Sequence, residues 1–257
     1  ADSGLLDAQC VGGGMGPGLG LLMAASAALA ALALVAYWAL VLSEGAYLGQ
    51  RTVTWLYDRA ASSYDRIKNS DAADDRRYLA RPLLMALDAV EAPRVLDVAT
   101  GTGRLPLALL AERDFCGDVL ALDRSAGMLA RARARLEAFL PLGEARCRLM
   151  RADAAHLPLH DGAFDAVVCL EALEFTANPR RSAQELLRVL KPGGVLLVSN
   201  RVGLDALWYP GKHCGRGRLE ALLRSLGARP VERESWQVYY DLVWARKGSH
   251  EDLSLRV

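Results

Sequence analysis

The sequence predicts an α/β protein, a doubly wound parallel sheet preceded by one membrane-spanning helix. Three observations carry this. From residue 92 onward, apolar runs of strand length alternate with helical patterns at regular intervals. The run Val95-Leu-Asp-Val-Ala99 leads straight into the glycine turn Thr100-Gly-Thr-Gly103 and a helical segment from Arg104. Residues 19–42 carry no charged side chain over 24 positions.

Composition bounds what these parts can do. The chain has 257 residues, 52% hydrophobic and 24% charged, enough for one globular domain and an added segment. A formal net charge of +1 supplies no global basic field, so nucleic acid is not an expected partner. Five cysteines without a CxxC pair argue against a zinc knuckle or disulfide framework and suit a reducing compartment. His156 and His160 flank Pro158, which denies them a shared helix, and no metal site is expected.

Residues 1–18 form a polar, glycine-rich tail of a composition that holds no structure alone. The opening residue, Ala1, fits loss of an initiator methionine or removal of a presequence. Leu19–Leu42 as a helix spans about 36 Å, enough for a hydrocarbon core of roughly 30 Å. No basic residue precedes it, unlike a signal peptide. It is rich in Gly, Ala and Ser, which permit close helix contact in a bilayer, and Tyr37 and Trp38 lie toward its C-terminal end. The small-residue helix and the tail together point to other membrane subunits as partners, alongside the bilayer itself. Arg51, Arg59, Arg66 and Lys68 follow the span, which orients the remaining chain toward the cytosol or the mitochondrial matrix.

Residues 43–91 read as a connector and helices. Tyr57-Asp-Arg-Ala-Ala-Ser-Ser-Tyr64-Asp65 has the spacing of an amphipathic helix packed on the domain, and residues 81–90 form a second such helix. In the domain proper, 92–247, the buried strand 95–99 comes first. Strands at 119–123, 146–152, 163–170 and 195–199 follow. The helix after Asp123 is capped by Ser125; the one opening at Asn178-Pro179 runs to Leu190 and stops at Lys191-Pro-Gly-Gly194. A helix over 218–226 closes at Gly227, and strands at 231–237 and 238–245 form an antiparallel edge hairpin. A polar tail, 248–257, ends the chain.

A strand, a glycine turn and a helix start together make a nucleotide-binding corner. Asp123, twenty residues beyond Gly103, ends the second strand where a carboxylate accepts ribose hydroxyls. Asp153 ends the third strand, where it can accept from an exocyclic amine, and Met128 is placed to pack on the base or in the helix core. Glu171 and Glu174 follow the fourth strand, in the region a proton acceptor would occupy, and read equally as solvated acids.

The motifs Asp97-x-Ala-x-Gly-x-Gly103, Asp123-x-Ser-x-x-Met128-Leu, Arg151-Ala-Asp-Ala154, Phe164-Asp-Ala-Val-Val168 and Leu187-Arg-Val-Leu-Lys-Pro-Gly-Gly194 occur in this order. Together they resemble the class I S-adenosylmethionine-dependent methyltransferases, most of all the branch of ubiquinone and menaquinone biosynthesis. Tyr57-Asp58…Tyr64-Asp65 is similar to that branch's N-terminal lid. The apolar helix adds a likeness to membrane-anchored mitochondrial methyltransferase-like proteins, and with it an inner-membrane location. The resemblance covers roughly residues 57–247. It implies a seven-stranded Rossmann-like sheet and S-adenosylmethionine as cofactor. Asp97 and the Gly101/Gly103 turn would face the methionine end, Asp123 would hold the ribose, and Asp153 with Ala154 the adenine; Ala99, Thr100, Arg124 and Met128 complete the expected cofactor-binding set. Two departures stand out: Ala99 replaces a glycine, and little chain separates the fifth strand from the hairpin to carry a substrate-binding insertion.

Two functions compete: a tethered methyltransferase acting on a lipophilic small molecule or a neighbouring protein, and a methyltransferase-fold accessory subunit of a membrane complex. A nicotinamide-dependent oxidoreductase would account for Gly101, Gly103 and Asp123 but not for Asp153 or the Lys-Pro-Gly-Gly turn.

Overall fold

The computed structural model describes residues 17–68, 71–139 and 146–248. The two tails, apart from Pro17, Gly18 and Gly248, lie outside them. Helix α1 (Pro17–Tyr37) continues through a wider turn at Trp38–Leu42. The unit Gly18–Leu42 has a mean hydropathy of 2.3 and its apolar span is unburied against the protein, so it is long and apolar enough to cross a membrane. Helices α2 (Gln50–Ala60), α3 (Tyr64–Lys68), α4 (Ala72–Asp75) and α5 (Arg81–Ala86) follow.

The domain alternates as expected: β1 (Arg94–Val98), α6 (Arg104–Leu110), β2 (Asp118–Asp123), α7 (Ala126–Phe139), β3 (Cys147–Arg151), β4 (Phe164–Cys169), α8 (Pro179–Val189), β5 (Leu190–Arg201), α9 (Arg218–Ser225), β6 (Ala228–Ser235) and β7 (Tyr240–Lys247). The seven strands lie in the order β3-β2-β1-β4-β5-β7-β6. β1 to β5 are mutually parallel; β7 runs antiparallel to both β5 and β6.

Strand alternation divides the core into two layers. Leu96, Val98, Val167, Leu196 and Val198 pack with Leu186 of α8 and Leu222 and Leu223 of α9. Val95, Ala166, Val168, Val195 and Leu197 pack on the other face with Leu83, Leu105 and Leu109. Each such fully buried aliphatic side chain contributes about 1.5–3 kcal/mol. The caps read from sequence are present: Ser125 Oγ accepts from Met128 N at 3.0 Å, and Asn178 Oδ1 from Arg181 N at 3.0 Å.

The chain leaves β1 toward β2 and β3, then returns to β4 on the other side. The connections from the carboxyl ends of β1 and β4 therefore diverge and open a crevice between them.

Three boundaries differ from the sequence reading. β5 starts at Leu190, because Lys191-Pro-Gly-Gly194 continues in strand-like backbone with an irregularity opposite Phe164 and Ala166. Gly194 is obligatory there, since a Cβ would stand 2.9 Å from Asp165 O. The helix expected over 81–90 ends at Ala86 in a turn closed by Leu87 N to Leu84 O, and the hairpin strands are shifted, with residues 236–239 as their link. Nor is the stretch between β5 and β6 bare: residues 202–217 carry a short 3-10 turn (Leu204–Trp208), and Tyr209 and Cys214 pack with Ala46, Val53 and Phe175 into a third apolar cluster. That cluster roofs the crevice.

Candidate active site

β1 ends in a left-handed turn. Ala99 has φ +59°, Gly101 +55° and Gly103 +81°. Alanine pays about 1–2 kcal/mol for that conformation, a cost glycine avoids. At Gly103 even a methyl group would press on Ala132 Cβ at 3.3 Å, so helix α7 can pack closely behind the turn. Thr100 N bonds Leu122 O at 2.9 Å, tying this turn to the end of β2.

Asp123 is the hinge between the two strand tips. Its Oδ2 accepts from Gly101 N at 2.9 Å and its Oδ1 from Ser125 N at 2.8 Å. Each oxygen keeps a lone pair for a ligand. Burial pushes its carboxyl above the usual range, although the main-chain N–H groups oppose the shift.

Asp153 Oδ1 accepts from Ala155 N at 2.9 Å, and its Oδ2 pairs with Arg124 Nη1 at 2.6 Å. Arg124, Asp153 and Ala154 line the same cleft as Ala99, Gly101 and Asp123. The cleft encloses about 720 Å³, including space open to solvent at its mouth. Asp97, Thr100 and Arg104 line an adjoining hollow that shares Tyr64, Ala99, Gly101 and Glu171 with it. Asp97 is 2% exposed, and burial pushes its carboxyl up to about 7, with the Asp123 charge adding to the shift. The Thr100 hydroxyl, buried beside Asp97, opposes that shift.

Of the ten residues expected at the cofactor, eight line this continuous space: Asp97, Ala99, Thr100, Gly101, Asp123, Arg124, Asp153 and Ala154. Gly103 and Met128 do not. Gly103 supports the turn from behind, and Met128 is wholly enclosed at the foot of α7.

The lid residues reach further than an amphipathic packing helix requires. Asp58 Oδ1 accepts from Ser125 Oγ at 2.5 Å and Gly127 N at 2.9 Å; Asp65 Oδ1 accepts from Thr102 Oγ1 at 2.6 Å. These two acids clamp α2 and α3 over the strand tips. Tyr57 and Tyr64, with ring centroids 6.0 Å apart, then close the cleft's inner end. Gln50 joins them from α2, donating to Phe175 O at 2.6 Å.

Glu171, at φ +51°, is bound by Lys68 Nζ at 2.6 Å and Arg104 Nη1 at 3.0 Å. Burial would raise its carboxyl, but the two cations outweigh that and hold it below the usual range. Glu174 turns away into a buried network with Arg201 and Tyr240 and does not line the cleft. Lys68, Arg104, Gln50 and Phe175 were not anticipated as site residues. Only Arg104, directly after Gly103, had a local signal.

Residues 96–198 match the family model described as "Methyltransferase domain". Over that stretch the chain carries a methyltransferase domain. Among curated relatives, it is 36% identical over 146 residues to a demethylmenaquinone methyltransferase of Clavibacter sepedonicus, covering 57% of this chain and 56% of that protein. A demethylmenaquinone methyltransferase of Thermus thermophilus is 39% identical over 145 residues, 56% of this chain and 63% of that protein. A malonyl-[acyl-carrier protein] O-methyltransferase of Marinomonas sp. is 35% identical over 150 residues, 58% of this chain and 52% of its own length. The chain thus spans somewhat more than half the length of the curated relatives it matches. Among solved structures, the [4+2]-cyclase SpnF superposes with a TM-score of 0.60 at 22% identity, over 78% of this chain and 97% of that one. A putative S-adenosylmethionine-dependent methyltransferase of Methanococcus maripaludis gives 0.59 at 18% identity, over 75% and 94%. These two likenesses show the fold alone. The named relatives are bacterial, so a mitochondrial location gains no support from them, and the accessory-subunit reading gains none from their names.

The methyltransferase domain's cofactor fits the residues present. Asp123 has open acceptor positions beside the bare Gly101 backbone, and a Cβ at Gly101 would meet no atom of the described protein, leaving room for a ligand to approach.

Proposed function

We propose that this protein is a membrane-tethered S-adenosylmethionine-dependent methyltransferase acting on a lipophilic small molecule of the quinone class. The observation that carries the cofactor half is the Asp123 carboxylate, held by Gly101 N on the wall of the cleft that Arg124, Asp153 and Ala154 also line. Asp123 would hold the ribose, Asp153 and Ala154 the adenine, and Asp97, Thr100 and Glu171 the methionine end. Bound there, the cofactor supplies an electrophilic methyl group on a sulfonium. The chain's own work is then alignment and exclusion of water. Tyr57, Tyr64 and Phe175 wall one end of the cleft, and Arg104 with Lys68 fixes the Glu171 carboxylate there.

The acceptor class is supported by the names of two relatives, demethylmenaquinone methyltransferases, and by the apolar helix, whose Leu40 lines the cavity next to the cleft. The anchor places the domain at a bilayer surface, with Arg51, Arg59, Arg66 and Lys68 marking the cytoplasmic side. Small residues along α1 suit contact with further membrane subunits, which in-membrane cross-linking of the full chain would detect.

Calorimetric titration of the full chain in detergent micelles tests the reading. One-to-one binding of S-adenosylmethionine without binding of NAD is expected, followed by methyl transfer to reduced demethylmenaquinone. A chain that binds neither nucleotide sinks it.

A further inference from the structure

A second, larger cavity lies behind the Tyr57–Tyr64 pair. It shares Tyr57, Tyr64 and Glu171 with the cofactor cleft, and its far wall includes Leu40, at the end of the apolar helix. Its lining is apolar and aromatic through Leu56, Ile67, Trp236 and Tyr240, and charged through Glu44, Arg201, Lys68, Arg104, Asp71, Asp74 and Asp205. We propose that this cavity is the methyl acceptor's site, that it takes a hydroxyl-bearing aromatic with an apolar tail, and that Glu44 accepts the hydroxyl's proton. The proposal rests on the methyltransferase reading above.

Of the other carboxylates that line the cavity, Glu171 and Asp205 are ion-paired, Asp71 caps α4 by accepting from Ala73 N at 2.8 Å, and Asp74 lies on α4 beyond it. Glu44 is the one bonded to Tyr57, which the cavity shares with the cofactor cleft. Three carboxylates, Glu44, Glu174 and Asp205, gather on one guanidinium, that of Arg201. Arg201 gives its close contacts to Asp205, to Tyr240 and to Glu174, the last at 2.9 Å, and stands 3.7 Å from Glu44. Lys68, the other cation nearby, is committed to Glu171. Glu44 receives one side-chain hydrogen bond among the described residues, from Tyr57 OH at 3.1 Å, and its side chain stays 44% exposed, on the wall of the cavity. A carboxylate so placed seeks a donor. Arg201 and Lys68 repel a cationic one, which leaves a neutral hydroxyl.

The backbone supports the placement. Glu44 is one of four non-glycine residues with positive φ among the described residues, at +47°, and three of the four, Glu44, Ala99 and Glu171, line these two spaces. Such strain persists where the surroundings over-determine it. Burial holds the Glu44 carboxyl above the ordinary range, against the opposing effect of Arg201, Lys68 and the Tyr57 hydrogen bond and with that of Glu174. A base tuned upward is better matched to a weak acid such as a phenol.

The step balances on the acceptor and Glu44 alone. The acceptor O–H bond breaks, its electron pair stays on the acceptor oxygen, and the proton forms a new O–H bond on the Glu44 carboxylate. A neutral acid and an oxyanion replace a carboxylate and a hydroxyl, with charge conserved. The oxyanion is the electron-rich form that methylation at oxygen or at a ring carbon consumes.

Calorimetric titration of the full chain in detergent micelles with 1-naphthol, with 1-methoxynaphthalene as a control lacking the donor, tests this without turnover. A hydroxyl donated to a charged carboxylate contributes about 1.5–3 kcal/mol, roughly ten-fold or more in Kd. The affinity of the wild type for 1-naphthol should therefore rise about ten-fold as pH climbs through the Glu44 ionisation. The methoxy control should stay flat, and Glu44→Gln should lose the pH dependence. Tyr57→Phe removes a hydrogen bond that stabilises the carboxylate, so it should move the midpoint to higher pH. A far-UV circular dichroism spectrum and thermal midpoint matching wild type show that each variant is folded. Turnover of reduced demethylmenaquinone by Glu44→Gln should fall about 10²-fold, the usual contribution of a general base. The proposal is overturned if 1-naphthol does not bind the wild type, or if Glu44→Gln retains the same pH-dependent affinity. Failure of the methyltransferase reading is a separate result, seen as absent S-adenosylmethionine binding with the naphthol titration unaffected.

Discussion

The cofactor cleft and the cavity behind it meet at Tyr57, Tyr64 and Glu171, yet they are held together by different means. At the tips of β1 and β2 main-chain N–H groups do most of the holding, Thr100 N on Leu122 O, and Gly101 N and Ser125 N on the one carboxylate of Asp123. Behind the tyrosines, side chains do it: Arg201 draws Glu174, Asp205 and Glu44 from three separate segments, and Lys68 and Arg104 share Glu171. A main-chain cradle is indifferent to most substitutions in its neighbours and suits a ligand that does not vary. A side-chain cluster can be retuned one residue at a time, as a site for a varying acceptor must be.

The largest effect should come from breaking the side-chain region at its centre. Arg201→Ala leaves Glu174, 2% exposed, without its cation. Removing one partner of a buried pair costs about 3–5 kcal/mol, so chemical denaturation should show a loss of that size. If the loss stays under 1 kcal/mol, the cluster is not the clamp described here.

The next effect probes a buried charge on the cleft side. With its folded-state carboxyl at about 7, Asp97 binds more protons folded than unfolded between its ordinary value and pH 7. By linkage it contributes a stability that falls as pH rises across that window, by about 1.4 kcal/mol per unit. Asp97→Asn removes the slope. Thermal melts from pH 4 to 8 should show the variant gaining on wild type as pH rises, then a constant difference above pH 7. Parallel curves would mean that Asp97 is not the buried proton carrier of this hinge.

Asp123→Ala strips the acceptor from Gly101 N and Ser125 N together. Unmade hydrogen bonds at such groups cost about 1–3 kcal/mol, so S-adenosylmethionine should bind roughly ten- to a hundred-fold more weakly by calorimetry. The naphthol affinity of the second cavity should barely move, and equal loss at both sites would erase the distinction between them.

The smallest change is Ala99→Gly. Relief of the left-handed strain, about 1–2 kcal/mol, is offset by about 0.5–1 kcal/mol of glycine's added chain entropy. Denaturation should therefore find the variant equal to wild type or up to about 1 kcal/mol more stable. A destabilised variant would mean that the alanine methyl packs usefully in the cleft.

Much of the cofactor side was legible because its signals are local. An apolar run broken by two glycines announces a strand and a turn, and the count from Gly103 to Asp123 places an acid on the next strand's tip. Met128 shows the limit of that reasoning, since helical spacing alone does not tell the side facing the cleft from the side facing the core. The roof had weaker signals. Tyr57-Asp58 and Tyr64-Asp65 were visible as a pattern, but not that Asp58 reaches Ser125, 67 positions on, or that Asp65 reaches Thr102, 37 positions on.

The order of strands and helices, the apolar helix and the glycine corner were determined by sequence alone, because hydrophobic periodicity and backbone freedom act between residues a few positions apart. The second cavity was decided only by tertiary structure. Glu174 meets Arg201 across 27 positions and Tyr240 across 66, and Glu44 joins them from the foot of the apolar helix. An acid has no periodicity that names its partner. Which charges are left facing a cavity depends on which others the folded chain has already paired.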